Sequence, residues 1–467
     1  MKRIASIDIF RALTMITMIF VNDYAGMGGL PHWLHHAGFD EDMLGFSDLV
    51  FPAFLFCVGM SIPFAIGARF NRGASQLQVL GHIVLRTLAL LIMGIFSMNM
   101  RGVEGGLSHA VFSLLAIAGY FLIWNEYPKV PAASAASGSR AGLDVCDSKA
   151  GAAGFTPDGR ALAFGSGGAA PRQHNLDPAS LWRVIMSVAG IVLLIGLVVY
   201  KDLHGMPFRH GWWGILGLIG WAYLPCAVGY LCLRGDFRKV MIFSLLTLVF
   251  CLLNASPAIP AEWSSRAVIL GFWPGGWTHP AICAAGMMTS MLLIRFGEQP
   301  RSLLSCYGGF ALAMFILGLV SHRCWIISKI QATPTWLFFC VAISVVCFAI
   351  LYWFIDLRCR IKSGMTKEMT PGMTTEQPII QDKTSNKGSK QSVMPGLTRH
   401  LIAPAGTATL TCYMMPSIWY DVQQLVGWEW PAALTYGLPG LIKALVFAFV
   451  IVALTGLFEK LHLKLKI

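Results

Sequence analysis

The segment that decides the fold runs from Ile7 to Met27 and reads IDIFRALTMITMIFVNDYAGM. It has the length and apolar character of a helix that crosses a membrane, for which about 20 residues are needed. Asp8, Arg11 and Asn22 interrupt the run, and on a helix they share one face with two methionines. Because ionised side chains are costly against lipid, we expect this face to point into a helical bundle or a cavity.

The rest of the chain has the composition of a polytopic membrane protein. Of its 467 residues, 56% are hydrophobic and only 12% are charged, whereas soluble domains carry about 25% charged residues. This composition excludes an ordinary soluble enzyme, a disordered protein and a disulfide scaffold. The twelve cysteines show no CxxC or Cys/His spacing typical of zinc, so we expect no metal site.

Twelve segments are apolar and long enough to be considered as membrane spans. The weakest are 240–254, which is short, and 400–420, which is rich in small residues. We therefore predict an all-α, polytopic transmembrane helical bundle with about 10–12 spans. The twelve segments are 7–27, 47–68, 78–98, 107–125, 181–200, 211–233, 240–254, 279–295, 303–321, 332–355, 400–420 and 437–457.

The distribution of positive charge predicts the orientation of the bundle. If the N-terminus is cytoplasmic, 25 of the 35 Lys and Arg residues fall in cytoplasmic segments and 6 on the other side. When the Lys and Arg residues of two long polar loops are left out of the count, 12 remain in cytoplasmic segments and 6 on the other side. Because cytoplasmic loops are enriched in Lys and Arg, both termini are predicted to be cytoplasmic. Topology then explains the net charge of +12, and we expect no nucleic-acid partner.

Two polar segments divide the chain. Residues 130–180 are rich in Ala, Gly, Ser and Asp, and residues 357–398 are polar and carry a short Met-Thr repeat. Neither can bury enough apolar surface to offset the entropy of ordering, so we predict two flexible cytoplasmic inserts. The predicted division is an N-terminal transmembrane part with the site motifs (1–129), the first insert (130–180), a central transmembrane part (181–356), the second insert (357–398) and a C-terminal transmembrane part (399–467).

Candidate functional residues cluster in the first span and in the loop that follows it. Asp8 and Arg11 lie one helical turn apart and are expected to form a structural ion pair. The loop carries His32, His35 and His36 at a spacing that matches no common zinc pattern. A histidine at the membrane edge can act as a general base near neutral pH, and a solvated loop histidine without chemistry is the alternative.

The second span opens with FSDLVFPAFLFCVG from Phe46. Ser47 or Asp48 can cap this helix through a side-chain oxygen. Asp48 can instead lie beside the returning histidine loop and orient an imidazole. The residues alone leave both interpretations open.

These motifs resemble a known family of membrane enzymes. The run SIDIFRAL, followed by FVN, HHA and DLVFPAFLFCVG, resembles the transmembrane N-acetyltransferase family of lysosomal heparan-α-glucosaminide N-acetyltransferase and its bacterial relatives. Residues 275–279, 332–336 and 409–413 are similar to segments of the bacterial members. Ala12 stands where the family usually has Gly, and His35 stands where it usually has Lys; alignment through Ala37 selects His36 as the family's histidine.

The resemblance implies a multispanning acyltransferase that uses cytoplasmic acetyl-CoA as co-substrate. It would acetylate a glucosamine-type amino-sugar, or the end of a glycan, on the periplasmic side of a bacterial inner (plasma) membrane. In the family, the Asn that ends the first helix and the His of the His-Ala pair are central, and they correspond to Asn22 and His36.

Chemistry assigns further expected roles to these and other residues. His36 can take the amine proton or carry the acetyl group itself, and the sequence leaves this choice open. Asn22 can donate to the thioester carbonyl or orient His36, and Asp48 can set the imidazole tautomer. Arg86 and Arg11 are candidates for holding the phosphates of the co-substrate. The last expected site residue is His279, which either contacts the amino-sugar or has a capping or interfacial role.

Two other functions compete with this interpretation. One is a solute or glycan permease, because intramembrane Arg and Asp also mark transport paths. The other is an acyltransferase-3-type O-acyltransferase, which places a His about ten residues after the Arg of its first span, where this chain has Val21 and Asn22. The expected partners are a small amino-sugar or glycan and membrane lipid; whether the chain forms a homodimer stays open.

Overall fold

The computed structural model describes residues 4–100, 102–103, 106–127, 178–209, 214–256, 276–357 and 396–467. The two predicted inserts, 130–180 and 357–398, lie outside these residues except at their edges. The division of the chain into five parts therefore stays a prediction.

The described residues form an all-α bundle, as predicted. Its helices are α1 (Ala5–Tyr24), α2 (Phe46–Phe70), α3 (Gln76–Met98), α4 (His109–Trp124), α5 (Pro178–Leu203), α6 (Ile215–Cys232), α7 (Phe237–Ala255), α8 (Thr278–Phe296), α9 (Pro300–Ser321), α10 (Pro334–Tyr352), α11 (Gly396–Thr407), α12 (Thr409–Val426) and α13 (Gly437–Lys460). Ten helices of the described part are long and apolar enough to cross a membrane, which confirms the predicted fold class.

The eleventh predicted span, 400–420, differs from its prediction because it is broken into two helices. α11 ends at Thr407 and α12 begins at Thr409, with Ala408 between them outside the helical conformation. The break leaves backbone acceptors free, and the carbonyl of Gly406 accepts a hydrogen bond from Arg11 at 3.4 Å. The irregular backbone thus lies inside the protein and is partnered by a side chain, as non-helical backbone at membrane depth requires.

The centre of the bundle depends on a close approach of α2 and α8. A Cβ atom at Gly59 would overlap the carbonyl group of Cys283, and a Cβ at Gly286 would overlap the carbonyl group of Phe56. Ser290 of α8 also donates to the carbonyl of Met60 at 2.7 Å. Such small-residue contacts let helix backbones pack directly, which is a main source of helix association in membranes.

The bundle has two distinct ends. Ile4 and Ile467 line the same cavity, so the two ends of the chain lie at one end of the bundle, called the terminal end below. α1 has 20 residues and is therefore about 30 Å long. At its other end, called the far end below, Tyr24 donates to the carbonyl of Leu34 at 3.0 Å and lies 3.0 Å from Ser47 Oγ. Which end faces the cytoplasm stays a prediction from charge.

We expect Gly59→Ala to disrupt the packing of α2 against α8. The added methyl group must displace the backbone of Cys283, and overpacking a dense interior costs about 1–3 kcal/mol. Thermal unfolding in detergent should show a lower midpoint. Gly308→Ala is the matched control, because a Cβ there meets nothing within 4 Å. Equal midpoints for the two variants would contradict the close contact.

Candidate active site at the far end

A hydrogen-bonded junction fixes the loop between α1 and α2. Tyr24 and Ser47 are both buried, and both hydroxyls donate to the carbonyl of Leu34. The end of α1 and the start of α2 therefore both form hydrogen bonds with the loop just before His36. This junction places His36 beside the first turn of α2.

His36 forms a close pair with Asp48. The imidazole Nδ1 lies 2.6 Å from Asp48 Oδ1, and Asp48 Oδ2 accepts the backbone N–H of Ala37 at 3.0 Å. The carboxylate is 1% exposed and the imidazole 39%. With Nδ1–H donated to Asp48, the Nε2 lone pair is left to accept a proton, which is the arrangement a general base needs.

Gly45 makes this close approach possible. A Cβ at Gly45 would overlap the carbonyl of His35 and would lie 3.1 Å from Asp48 Oδ2. A side chain at this position would push the histidine loop away from the carboxylate. The absence of a side chain at residue 45 is thus part of how the sequence builds the pair.

The capping interpretation of Ser47 and Asp48 is wrong. α2 begins after Gly45, and no side chain caps its first turn. Ser47 instead donates to Leu34, and the Asp48 carboxylate meets His36 and Ala37. Both polar side chains therefore form hydrogen bonds with the loop between α1 and α2, and neither caps the helix.

The structure adds Lys329, which sequence analysis did not single out. Its Nζ lies 3.2 Å from His36 Nδ1 and 3.7 Å from Asp48 Oδ1, although it comes 293 residues after His36. Burial lowers the pKa of Lys329, and the nearby Asp48 carboxylate acts in the opposite direction. The sequence feature that could have pointed to Lys329 is the scarcity of Lys and Arg in the loops of the far end, where each such residue stands out.

A clamp between two loops holds Lys329 in place. Asp42 Oδ1 accepts the backbone N–H of Ile327 at 2.8 Å, and its Oδ2 lies 2.7 Å from His322 Nε2. The carbonyl of Phe39 accepts a hydrogen bond from Gln331 at 2.8 Å. These bonds join the loop after α1 to the loop between α9 and α10 on either side of Lys329.

Asn22 lies in the last turn of α1, at the same end of the bundle as His36. Its side chain is exposed, and among the described residues no hydrogen bond joins it to His36. The neighbouring Asp23 is buried and binds Lys443 at 2.8 Å and the hydroxyl of Tyr420. This buried ion pair fixes the end of α1 against α12 and α13, so Asn22 is presented from a rigid position.

His279 lies inside the bundle rather than on its rim. It is 5% exposed, and its ring lies between those of Phe51 and Trp336, with centroids 5.5 and 6.2 Å away. Trp336 also donates its indole N–H to the backbone carbonyl of Asp48 at 3.2 Å. His279 therefore packs beneath the His36–Asp48 pair, and its expected contact with substrate stays a prediction.

A cavity of about 780 Å³ opens at the terminal end, and both Arg11 and Arg86 line it. Arg11 lies 3.6 Å from Asp8 Oδ1 and donates to Ser61 Oγ at 2.7 Å. The guanidinium of Arg86 lies 5.0 Å from the centre of the Tyr223 ring. Its Nε is buried without a hydrogen-bond partner among the described residues.

The cavity fits an anionic, phosphate-bearing ligand. Its volume is in the range of about 300–1,000 Å³ found for small-molecule sites. Arg11 and Arg86 bring two guanidinium groups to its wall, and guanidinium groups bind phosphate through charge-assisted hydrogen bonds. Three further cations line the same space, namely Arg72, Lys464 and Lys466. These residues fit the phosphates expected for acetyl-CoA; in the described part of the chain no group of His, Cys, Asp and Glu could hold a metal ion.

We expect Asp42→Ala to release the clamp around Lys329. The backbone N–H of Ile327 loses its acceptor, so its hydrogen exchange should become at least about tenfold faster, as the loss of one hydrogen bond worth about 1.5 kcal/mol allows. Hydrogen-exchange mass spectrometry of the loop 322–333 measures this. Asp40→Ala, an exposed carboxylate of the same loop as Asp42, is the control. Unchanged exchange in the Asp42 variant would contradict the clamp.

The same clamp should weaken in acid. The N–H of Ile327, and then His322, lower the pKa of Asp42 below its usual 3.8. Asp42 therefore stabilises the joined loops above pH 3.8, and this contribution is lost as pH falls through its lower folded-state pKa. After correction for intrinsic rates, exchange of the Ile327 amide should rise only below about pH 4. A rise centred between pH 6 and 7 would assign the change to another group.

The chain is similar to known proteins over part of its length. Residues 3–138 match a family described as a domain of unknown function (DUF5009). Heparan-alpha-glucosaminide N-acetyltransferase of Mus musculus is 36% identical over 108 residues, covering 23% of this chain and 16% of the mouse protein. The Homo sapiens protein of that name is 37% identical over 107 residues, covering 23% of this chain and 15% of its own length.

The matched segment thus spans about a sixth of the length of these relatives. The long apolar helices make the chain an integral membrane protein. The predicted resemblance of this chain to the heparan-α-glucosaminide N-acetyltransferase family is confirmed over 107–108 residues.

Proposed function

We propose that this protein is a transmembrane acetyltransferase that transfers the acetyl group of acetyl-CoA to the amine of a glucosamine-type amino-sugar. The observation that carries the proposal is the His36–Asp48 pair at the far end, 2.6 Å between Nδ1 and Oδ1. The cationic cavity at the terminal end of the same helices supports it. The two related proteins are named as N-acetyltransferases, which supports the reaction class.

The donor would enter from the terminal end. Arg11 and Arg86 would hold its phosphates in the cavity, where guanidinium groups bind phosphate through strong, charge-assisted hydrogen bonds. From Arg11 to Asn22 the helix rises about 16 Å. A donor held at Arg11 therefore needs an extended arm to bring its thioester to the far end, and the pantetheine arm of acetyl-CoA is an extended chain.

A layer of side chains separates the cavity from the far end. Phe54 and Tyr413 line the inner wall of the cavity, and both also pack against the cluster around Val21 and Tyr24. In our proposal these two rings move aside when the donor arm is threaded toward Asn22. In the closed arrangement they would be the barrier between the cavity and the far end.

The chemistry at the far end needs a base and a hydrogen-bond donor. His36 Nε2 accepts a proton from the sugar amine while its Nδ1–H stays hydrogen-bonded to Asp48. The amine nitrogen forms a bond to the acetyl carbon, the carbon–sulfur bond breaks, and the proton ends on the released thiolate sulfur. In this proposal Asn22 donates a hydrogen bond to the carbonyl oxygen as that oxygen gains negative charge. The other route, with the acetyl group first on His36, uses the same Nε2 atom.

The proposal includes a direction across the membrane. The excess of Lys and Arg supports a cytoplasmic terminal end, where acetyl-CoA is available, and a far end in the periplasm of a bacterium. The acceptor is then an amino-sugar on the periplasmic face of the inner membrane. A permease would carry such a sugar unchanged, so formation of acetylated sugar distinguishes the two functions.

We expect His36→Ala to lose acetyl transfer by about 10²–10⁴-fold, the usual contribution of a general base. The measurement is transfer from labelled acetyl-CoA to glucosamine by purified protein. Folding should be retained, because the imidazole is 39% exposed and its loss leaves no buried cavity. His32→Ala is the control in the same loop, since His32 pairs with Glu41 rather than with Asp48. Normal turnover by the His36 variant would overturn the site assignment.

We expect Arg86→Ala to raise the KM for acetyl-CoA by about tenfold or more, since a hydrogen bond to a charged group contributes about 1.5–3 kcal/mol. The KM for the sugar should change little, because Arg86 lines the cavity at the terminal end. Steady-state kinetics with each substrate varied in turn gives both values. Arg301→Ala, which removes an exposed cation from the first turn of α9, is the control. Equal increases in both KM values would argue against the donor role of the cavity.

A further inference from the structure

We infer that Lys329 is a positioning residue whose ammonium group keeps the imidazole of His36 neutral, so that Nε2 can accept a proton. The inference rests on the proposed function for its meaning in catalysis. It concerns a residue outside the matched segment 3–138 and a contact that sequence analysis did not foresee.

Lys329 lies close to both members of the His36–Asp48 pair. Lys329 Nζ lies 3.2 Å from His36 Nδ1 and 3.7 Å from Asp48 Oδ1. In the neutral imidazole that donates Nδ1–H to Asp48, Nδ1 has no lone pair left for the ammonium group. The ammonium is therefore attracted by the carboxylate and meets the imidazole as a neighbouring positive charge rather than as a hydrogen-bond partner.

Asp48 and Lys329 act on the imidazole of His36 in opposite directions. A buried carboxylate 2.6 Å from the ring favours the imidazolium form, and an imidazolium cannot accept a proton. Lys329 balances this effect, because protonation of His36 would place a second cation beside its ammonium group. A neutral His36 leaves one negative and one positive charge in the group, which is the arrangement that burial tolerates best.

Hydrogen bonds on both sides of Lys329 fix its position beside His36 and Asp48. The clamp through Asp42 and Gln331 fixes the loop on either side of it, and the Lys329 side chain is only 28% exposed. Burial lowers the pKa of Lys329 while Asp48 acts in the opposite direction. The carboxylate therefore supports the charged form of Lys329, and each of the two ionised groups depends on the other.

Several other titratable groups lie near the pair. In the same loop, Glu41 pairs with His32, and Asp42 pairs with His322 of the loop after α9. The ring of His35 lies against Tyr24 of α1, and beneath Asp48 lie His279 of α8 and Cys340 of α10. Within the described residues, Lys329 is the one Lys or Arg side chain recorded within 4 Å of the Asp48 carboxylate.

The first test is the pH dependence of kcat/KM. In Lys329→Met we expect the midpoint of the acid limb to move up by about one pH unit, the size of shift that one partly exposed charge produces. Lys329→Arg keeps the charge and should restore the original midpoint. A loss of rate that is equal at all pH values, with the midpoint unmoved, would overturn the inference.

The second test does not require catalysis. Diethyl pyrocarbonate reacts with neutral imidazole, so residue-resolved mass spectrometry of labelled His36 against pH reports its protonation directly. The labelling midpoint of His36 should rise by about one pH unit in Lys329→Met, or in Lys329→Gln if the Met variant does not fold. The midpoint of His32 should stay constant in the same samples. Arg323→Met removes an exposed cation of the same loop and is the control.

The two tests separate the inference from the proposed function. A shifted labelling midpoint in a protein that acetylates no sugar supports the role of Lys329 and rejects the acetyltransferase proposal. An unshifted midpoint in a protein that acetylates glucosamine supports the enzyme and rejects the role of Lys329. An equal shift in Lys329→Met and Arg323→Met would also reject it, because any cation of the loop would then have the same effect.

Discussion

The buried carboxylate of Asp48 is the constraint around which the far end of the bundle is built. An ionised group that is 1% exposed needs compensation from every side, since burying a charge without partners costs several kcal/mol. Asp48 obtains it from the ring of His36, the backbone N–H of Ala37 and the ammonium of Lys329. These three partners come from two loops, so satisfying one carboxylate requires both loops to be in place.

A related constraint acts at the terminal end, where the charges belong to helices. Arg11 in α1 is compensated by Asp8, by Ser61 of α2 and by a carbonyl freed at the break between α11 and α12. Arg86 has an aromatic ring beside it and an Nε–H without a partner among the described residues. Both guanidinium groups line the same cavity, Arg11 from α1 and Arg86 from α3. The contacts of Arg11 with the protein fix its position at the cavity wall, as intramembrane cations require.

Much of this architecture could be predicted from local sequence. The length of each apolar run predicted the α-bundle, because backbone groups in lipid must bond within their own helix. The spacing of Asp8 and Arg11 predicted their proximity, since residues three apart on a helix are neighbours. The prediction of one span over 400–420 was wrong, because the apolar run continues through the break at Ala408. The break depends on a contact with α1, where Arg11 donates to the carbonyl of Gly406. The capping interpretation of α2 was wrong for a similar reason, because Asp48 binds His36 in the loop and does not cap its own helix.

The sequence by itself determined what is local: a membrane protein made of long apolar helices, polar side chains on one face of the first helix, and a histidine loop that returns to the second. Only the tertiary structure decided which partners those polar groups meet. Lys329 follows His36 by 293 residues, and no helical period or motif connects positions so far apart. The two meet because the α2–α8 contact and the loop clamp fold the chain back on itself. Contacts of this kind depend on how helices pack, and packing is a property of the whole bundle rather than of any one segment.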